Sequence, residues 1–510
     1  MEWDEHSLYL LYLPQTRYSS FLGIFFVSLN MIIPESVDVI YIDPPYNTEH
    51  KDFIYNDSFV NLDDEYRHSK WLNFMSKRLQ LARSLLKPDG VLLMSIDDHE
   101  MAQLRILGDS IFGDYAFVTT IHVELSATQG MKVKAAQNGN VVKNAEYILV
   151  YSKDGHKNIG KHLLYDYRPY DSHYNKIIKD GKLYSLKEAI QGVVEPHYRA
   201  ESLSSLFDKS PAFRKYIEMH LSEIVADDKI TGFNMDDFKV GIPYEVTKDN
   251  KQYLLFNNGK KLRQLLRLSD SYGKCNDFYE SVGMRKIRGD WWKDFYLDMG
   301  NVSKEGDVVF ENGKKPVRLI EQLLYMTTDS DSLVLDFFAG SGTTGHAVLS
   351  LNKKDGGKRR FILCTNNENG ICENITYTRL NNVIHGTYSS GEPHGEALPA
   401  NLYYFKTNFM EDIANTEQAK YSLVERVDEL LCIKENIFVI NERNEYSSHY
   451  SNGDNHLFIY NDYFNMQKFD EFKKRVLETK GQKTVYVYSS DNNVDETLFK
   501  DMDVVLKPIP

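Results

Sequence analysis

Val37-Asp38-Val39-Ile40-Tyr41-Ile42-Asp43-Pro44-Pro45-Tyr46 decides how the rest of the 510-residue chain is read. The apolar run at 37–42 predicts a buried parallel strand. Asp43-Pro44-Pro45-Tyr46 then stands at the strand's C-terminal end, where open α/β sheets bind ligands. The two prolines fix φ, and each restricts the residue ahead of it. A carboxylate, a fixed carbonyl and an aromatic ring are thereby presented together. Such a trio suits holding a planar amine while another group reacts with it.

Outward from this turn, the order is regular. A polar loop covers 47–61 and Asp63 opens a helix. Trp71, Phe74, Met75, Leu79, Ala82 and Leu86 recur at three- and four-residue steps, a buried stripe. Lys87-Pro88-Asp89-Gly90 ends the helix, and 91–96 reads as a second buried strand. Asp97-Asp98 is expected to cap a helix running to about Phe112. Further strands fit 116–123 and 147–151. The alternation predicts a parallel sheet. Upstream, 8–13 and 21–31 are apolar without a clear period and fit strand, helix or both.

Residues 156–300 lose this order, being polar, mixed and rich in Tyr, Lys and Asp, and read as an inserted domain. From Val308 the order returns. Pro316 fits the first turn of a helix whose apolar face is Val317, Ile320, Leu323 and Leu324. Strands are expected at 332–336, 360–364 and 402–405, and helices at 345–351 and 375–384. The tail from 411 reads as a small α/β unit. It has helices at 423–431 and 468–480 and strands at 457–460 and 484–488. The expected division is 1–155, 156–300, 301–410 and 411–510.

A net charge of −13 argues against bulk nucleic-acid binding but leaves room for a local basic cleft. The 42 % apolar and 26 % charged content fits a soluble globular chain. Cys275, Cys364, Cys372 and Cys432 have no CxxC spacing, so neither a disulfide framework nor a metal site is supported. A reducing cytoplasm is expected. The most apolar stretch, 21–33, is too short to span a bilayer, and the acidic N-terminus lacks the basic region of a signal peptide.

Asp336-Phe337-Phe338-Ala339-Gly340-Ser341-Gly342-Thr343-Thr344 joins a predicted strand to a predicted helix. Its glycines let the backbone approach a ligand, and the helix N-terminus favours negative charge. The glycine interval is wrong for a dinucleotide fingerprint, and no Lys-Ser or Lys-Thr follows as in a phosphate loop. A nucleoside carrying a carboxylate, such as S-adenosylmethionine, fits. Glu368, past the next strand, is placed to take a ribose diol. Asp336 either touches ligand or holds the turn.

Together the two stretches resemble the amino-group DNA methyltransferases, and most closely the Mod subunits of type III restriction–modification systems. The similar text includes Ile42-Asp43-Pro44-Pro45-Tyr46-Asn47-Thr48, Phe53-Ile54-Tyr55-Asn56-Asp57, Trp71-Leu72-Asn73-Phe74-Met75 and Ser95-Ile96-Asp97-Asp98-His99-Glu100. It continues with Gly313-Lys314-Lys315-Pro316-Val317-Arg318-Leu319-Ile320, the run 334–352 and Asp355-Gly356-Gly357-Lys358-Arg359-Arg360-Phe361. The likeness is good over 37–152 and 300–410, loose over 156–300 and faint beyond. In this family the Asp-Pro-Pro-Tyr turn precedes the glycine turn, with a target-recognition domain between, and the chain has that order. The implied fold is a Rossmann-like, circularly permuted methyltransferase sheet with an inserted recognition domain and a small C-terminal α/β domain. Relatives usually begin with a strand and a Gly-Asp-Asn turn, where Phe25-Phe26-Val27-Ser28-Leu29-Asn30 stands here. They often continue past the equivalent of Pro510, so a shortened tail is expected.

The resemblance implies methyl transfer from S-adenosylmethionine to N6 of adenine in double-stranded DNA. Asp43, Pro44, Pro45 and Tyr46 would hold the amine and stack on a flipped base. Asp336, Phe338, Ala339, Gly340, Gly342, Thr343 and Glu368 would hold the cofactor, with Lys315 and Asn47 as further contacts. Lys132, Lys134 and Lys143, and Arg285, Lys286 and Arg288 beside Trp291-Trp292-Lys293, are the basic groups expected on phosphates. Lys353, Lys354, Lys358, Arg359 and Arg360 are expected to face solvent. A homodimer and a helicase–nuclease restriction partner are implied. Rival readings are an N4-cytosine enzyme, methylation of RNA or a protein amide, and a recognition subunit without activity.

Overall fold

The structure is a computed structural model. It describes residues 7–13, 34–48, 66–310, 313–387, 391, 395–406, 427–461, 468–488, 496–499 and 503–509. The stretches 21–31 and 53–57 singled out above lie outside the described residues. The spans Met1–His162 and Asp290–Pro510 form one unit, and Leu163–Gly289 forms a second.

The first unit is built on a nine-stranded sheet. Its strands in chain order are β1 (Ser7–Leu13), β2 (Val37–Ile42), β3 (Leu86–Ile96), β4 (Phe117–Glu124), β5 (Ala145–Ser152), β6 (Trp291–Trp292), β7 (Leu333–Asp336), β8 (Arg360–Asn366) and β9 (Asn401–Lys406). Their order across the sheet is β6-β4-β5-β3-β2-β7-β8-β1-β9. β2 lies in the middle, parallel to β3 on one side and β7 on the other. Those neighbours cover its edges, and its side chains are buried on both faces, which is why 37–42 is a nearly unbroken apolar run. The one charged side chain, Asp38, is held by Lys87 Nζ at 2.6 Å and the Leu333 amide at 2.8 Å.

The sheet is mixed rather than parallel throughout. β5 runs antiparallel to both β3 and β4. The crossover from β3 to β4 skips one place, and β5 returns to fill it. Alternation of strands and helices carries no information about such a reversal. Lys87-Pro88-Asp89-Gly90 also differs from expectation: it lies within β3 as an irregular segment. Val37 pairs with Leu86 and Val39 with Val91, so the register slips there.

Helix α1 (Arg67–Leu85) buries Trp71, Met75, Leu79, Ala82 and Leu85. These pack with Ile40, Ile42, Leu92 and Met94, alternate residues of β2 and β3. Each fully buried leucine such as Leu79 contributes about 2 kcal/mol. Helix α2 (Met101–Phe112) follows, but Asp97 and Asp98 do not cap it with their side chains. The Asp97 carboxylate takes the His99 amide and Lys143 Nζ instead. Helices α3 (Val317–Thr327), α4 (Thr343–Asp355) and α5 (Thr378–His385) flank the second half of the sheet, and α3 packs on α4. Pro316 is the N-cap of α3, not its first turn. Arg359 is a correction to the solvent-facing set: it is buried, donates to Thr328 Oγ1 at 2.7 Å and pairs with Asp355 at 2.9 Å.

A five-stranded sheet ends the first unit, with helices Asp428–Glu435 and Phe469–Glu478. The second unit holds a six-stranded and a three-stranded antiparallel sheet. Trp291-Trp292 falls outside it, because those residues pair with His122 and Val123 of β4.

Candidate functional site

β2 and β7 end side by side, with Val39 opposite Val334 and Ile40 opposite Leu335. Adjacent strands lie about 5 Å apart. The two quoted turns, nearly three hundred residues apart in the chain, therefore leave the same edge of the sheet as neighbours.

The first turn has no amide hydrogens at Pro44 or Pro45 and is held from outside. Trp71 Nε1 on α1 donates to the Pro45 carbonyl at 2.8 Å. Among the described residues no donor reaches the Pro44 carbonyl. Asn47, at φ 61°, turns inward, its amide donating to Glu100 Oε1 at 2.8 Å. His68 Nδ1 lies 3.0 Å from the same carboxylate.

Asp43 sits in a group of four side chains. Tyr46 Oη is 2.9 Å from Asp43 Oδ1 and 3.1 Å from Glu146 Oε2. Lys315 Nζ is 3.0 Å from Glu146 Oε2, 3.3 Å from Asp43 Oδ1 and 4.7 Å over the Tyr46 ring. Lys315 was expected at the cofactor; its ammonium lies against the amine-holding turn. Burial pushes the Asp43 carboxyl above the ordinary aspartate range, against the pull of Lys315, and the charge of Glu146 adds to the rise. Burial works against the Lys315 ammonium, yet Asp43 and Glu146 together hold it above the ordinary lysine range.

The glycine turn is fixed from within. Asp336, 2 % exposed, accepts from the Phe338 amide at 2.9 Å and Thr344 Oγ1 at 2.6 Å. Its two oxygens hold the turn, and burial pushes its carboxyl up to about 7. Gly340 and Gly342 have φ of 48° and 78°, a region other residues rarely enter. A Cβ on Gly340 would meet nothing closer than the Phe338 carbonyl at 3.8 Å, so the backbone there is open to approach. One on Gly342 would stand 3.1 Å from Thr376 Cγ2. The Phe338 ring contacts Phe74 of α1 with centroids 6.0 Å apart. Glu368 follows β8, with the Asn366 amide 3.4 Å from its Oε2.

Beneath this turn lies Arg379 of α5, whose side chain is 0 % exposed. Its Nη1 donates to Ser341 Oγ at 3.0 Å and Thr343 Oγ1 at 2.8 Å. Its Nη2 reaches Glu305 at 3.3 Å, and Glu305 accepts the Val317 amide that opens α3. Thr343 thus spends its hydroxyl inside the turn. Glu146, Arg379 and Glu305 are site residues that the sequence did not single out, and Trp71 reads there only as part of a buried stripe. Glu146 had a usable signal: it opens β5 just ahead of Tyr147, a carboxylate at the edge of an apolar run.

The basic residues separate. Arg288 is a correction: its side chain is 2 % exposed, paired with Asp166 at 2.7 Å and bonded to the Asn276 carbonyl at 2.9 Å. It braces the second unit and cannot face a phosphate. Arg285 lies 4.0 Å over the Tyr165 ring. Lys132 donates to Ser126 Oγ at 2.5 Å and Lys143 pairs with Asp97 and Asp98 at 3.1 Å. Lys134 and Lys286 are exposed. Among the described residues no cluster of three metal-ligating side chains occurs, and no helix is long and apolar enough to cross a membrane.

The family model described as "DNA methylase", covering N6 and N4 methyltransferases, matches residues 37–377. The chain belongs to that family. It is 31 % identical over 353 residues to the type III restriction-modification enzyme StyLTI Mod subunit of Salmonella typhimurium, covering 65 % of this chain and 49 % of that one. It is 32 % identical over 375 residues to the EcoPI Mod subunit of Escherichia phage P1, covering 66 % and 54 %. The type II methyltransferase M.KpnI of Klebsiella pneumoniae is 30 % identical over 361 residues, covering 68 % and 80 %. The chain thus spans about half the length of the two Mod subunits.

Proposed function

We propose that the chain transfers a methyl group from S-adenosylmethionine to the N6 amine of adenine in double-stranded DNA, as the modification subunit of a type III restriction–modification system. The observation that carries this is a pair of acceptors at the end of β2. The Asp43 carboxylate and the Pro44 carbonyl, which no donor reaches among the described residues, stand beside an open glycine backbone at the end of β7. An amine on an aromatic ring is a poor nucleophile, since its lone pair is conjugated with the ring. Asp43 accepting one N–H and the Pro44 carbonyl the other draw the nitrogen toward tetrahedral geometry and localise that pair. Much of the barrier is then removed by positioning and fixed dipoles. Tyr46 stacks on the base once it has left the helix.

The open backbone at Gly340 and the carboxylate of Glu368 suit a nucleoside cofactor, and Phe338, Ala339 and Gly342 line its approach. When bound, S-adenosylmethionine supplies a methyl group on a sulfonium sulfur, which keeps the C–S electron pair as the amine forms its new N–C bond. The proton lost from nitrogen passes to Asp43 or to water. Asp336 and Thr343 shape the turn from inside. We assign target recognition to the insert within 156–300 and keep the tail from 411 as a small α/β part, with Lys134 and Lys286 as phosphate contacts. Work in the cytoplasm as a homodimer, with a helicase–nuclease partner, completes the proposal. It is supported by the Mod subunits among the relatives.

Incubating the protein with radiolabelled S-adenosylmethionine and unmethylated genomic DNA tests this. N6-methyladenine is expected on nucleoside analysis, and Asp43→Ala should lower incorporation at least about a hundredfold. Undiminished transfer by that variant would refute the mechanism, and N4-methylcytosine as product would refute the assigned base.

A further inference from the structure

Asp43 and Glu146 compete for the same two donors. Lys315 Nζ lies 3.0 Å from Glu146 and 3.3 Å from Asp43, and Tyr46 Oη lies 3.1 Å and 2.9 Å from them. The cation is almost enclosed, its side chain being 10 % exposed, so it needs a carboxylate partner. If Asp43 were that sole partner, it would be a weak acceptor. Its charge would be spent on the ammonium and the phenol, leaving less for a substrate N–H.

We propose that Glu146 is a positioning residue of the amine site: it takes the Lys315 ammonium and the Tyr46 hydroxyl, and so frees Asp43 to accept from the target amine. The inference rests on the methyl-transfer reading above. Glu146 is suited to this by its place. It stands on β5, two strands from β2, so it approaches Lys315 and Tyr46 without occupying the end of β2 itself. Its side chain is 29 % exposed, so solvent reaches it whichever donor it holds. With Glu146 as anchor, Lys315 and Tyr46 change allegiance without either becoming an unpaired buried polar group.

The test is a two-residue cycle measured at saturating cofactor, with cofactor affinity and thermal stability recorded for each variant. Glu146→Gln is expected to lower kcat about ten- to a hundredfold, the range for losing a hydrogen bond to a charged group. Cofactor affinity should stay within about twofold, since no cofactor residue is touched. In Glu146→Gln the ammonium turns wholly to Asp43. Removing that ammonium as well, in Glu146→Gln with Lys315→Met, should therefore raise kcat above that of Glu146→Gln alone when both are read on the alkaline plateau of their pH profiles, where Asp43 is ionised without the pull of Lys315. A residue that only stabilises the fold would give a further loss instead. A double variant as slow as or slower than Glu146→Gln overturns the inference. So does a single variant with wild-type kcat. A wild-type protein that methylates no DNA overturns the parent reading and this inference together, and is distinguished by failing before any variant is made.

Discussion

Arg379→Met offers the sharpest test of how the glycine turn is held. The change keeps an unbranched stem and removes the charge. It deletes the bonds to Ser341 Oγ at 3.0 Å and Thr343 Oγ1 at 2.8 Å, and strands Glu305, which had its guanidinium at 3.3 Å. Breaking a buried ion pair from one side costs about 3–5 kcal/mol. The Glu305 side chain keeps 22 % exposure and the Val317 amide, so the low end, about 3 kcal/mol, is expected. Trp3, Trp71, Trp291 and Trp292 are the only tryptophans and all fall outside the unit Leu163–Gly289, so indole fluorescence in urea follows the first unit alone. With a urea slope of about 3 kcal/mol per molar, the midpoint should fall by about 1 M. Arg379→Lys keeps a charge for Glu305 but lacks the planar fork that spans two hydroxyls. It should recover most of the stability while binding S-adenosylmethionine more weakly than wild type. A midpoint shift below about 0.3 M for the methionine variant would show that the guanidinium does not hold the turn.

Two further outcomes follow from the same turn. Gly342→Ala forces a side chain to φ 78° and 3.1 Å from Thr376 Cγ2, a strain of about 1–2 kcal/mol that should weaken cofactor binding about tenfold by titration calorimetry. Asp336, pushed up to about 7 by burial, keeps its proton in the folded protein over a range where the unfolded chain has lost it. The native state then binds more protons, so stability falls as pH rises from about 4 to 7. Asp336→Asn should flatten that decline in urea midpoints between pH 5 and 8, and an unchanged slope would show that the carboxyl ionises normally.

What the sequence shows clearly is what burial writes into it. β2 and the core of β3 are apolar because both their faces are covered, and α1 carries its stripe because one face is. The strand ends at Asp43 and Asp336 follow directly from those runs. Strand direction is different, since β5 has the same composition whichever way it points. Buried charge is illegible for another reason. Arg288 and Arg359 read as surface groups and Arg379 draws no reading, because each is compensated by partners that only the fold brings near. The ion pairs of Lys315 are hidden by the same logic: its neighbours in the chain belong to the cofactor half, whereas its partners Asp43 and Glu146 belong to the other.

The indole of Trp71, bonded to the Pro45 carbonyl, has one more consequence. Two consecutive prolines give a turn that cannot brace itself, since neither offers an amide to a neighbouring carbonyl. The direction of its peptide planes is therefore borrowed from α1, and α1 takes its own position from the core beneath it. The helix acts as a gauge block: it silences one proline carbonyl and leaves the other without a donor among the described residues. The aim of the acceptor is thus a property of the hydrophobic interior, transmitted through a single N–H.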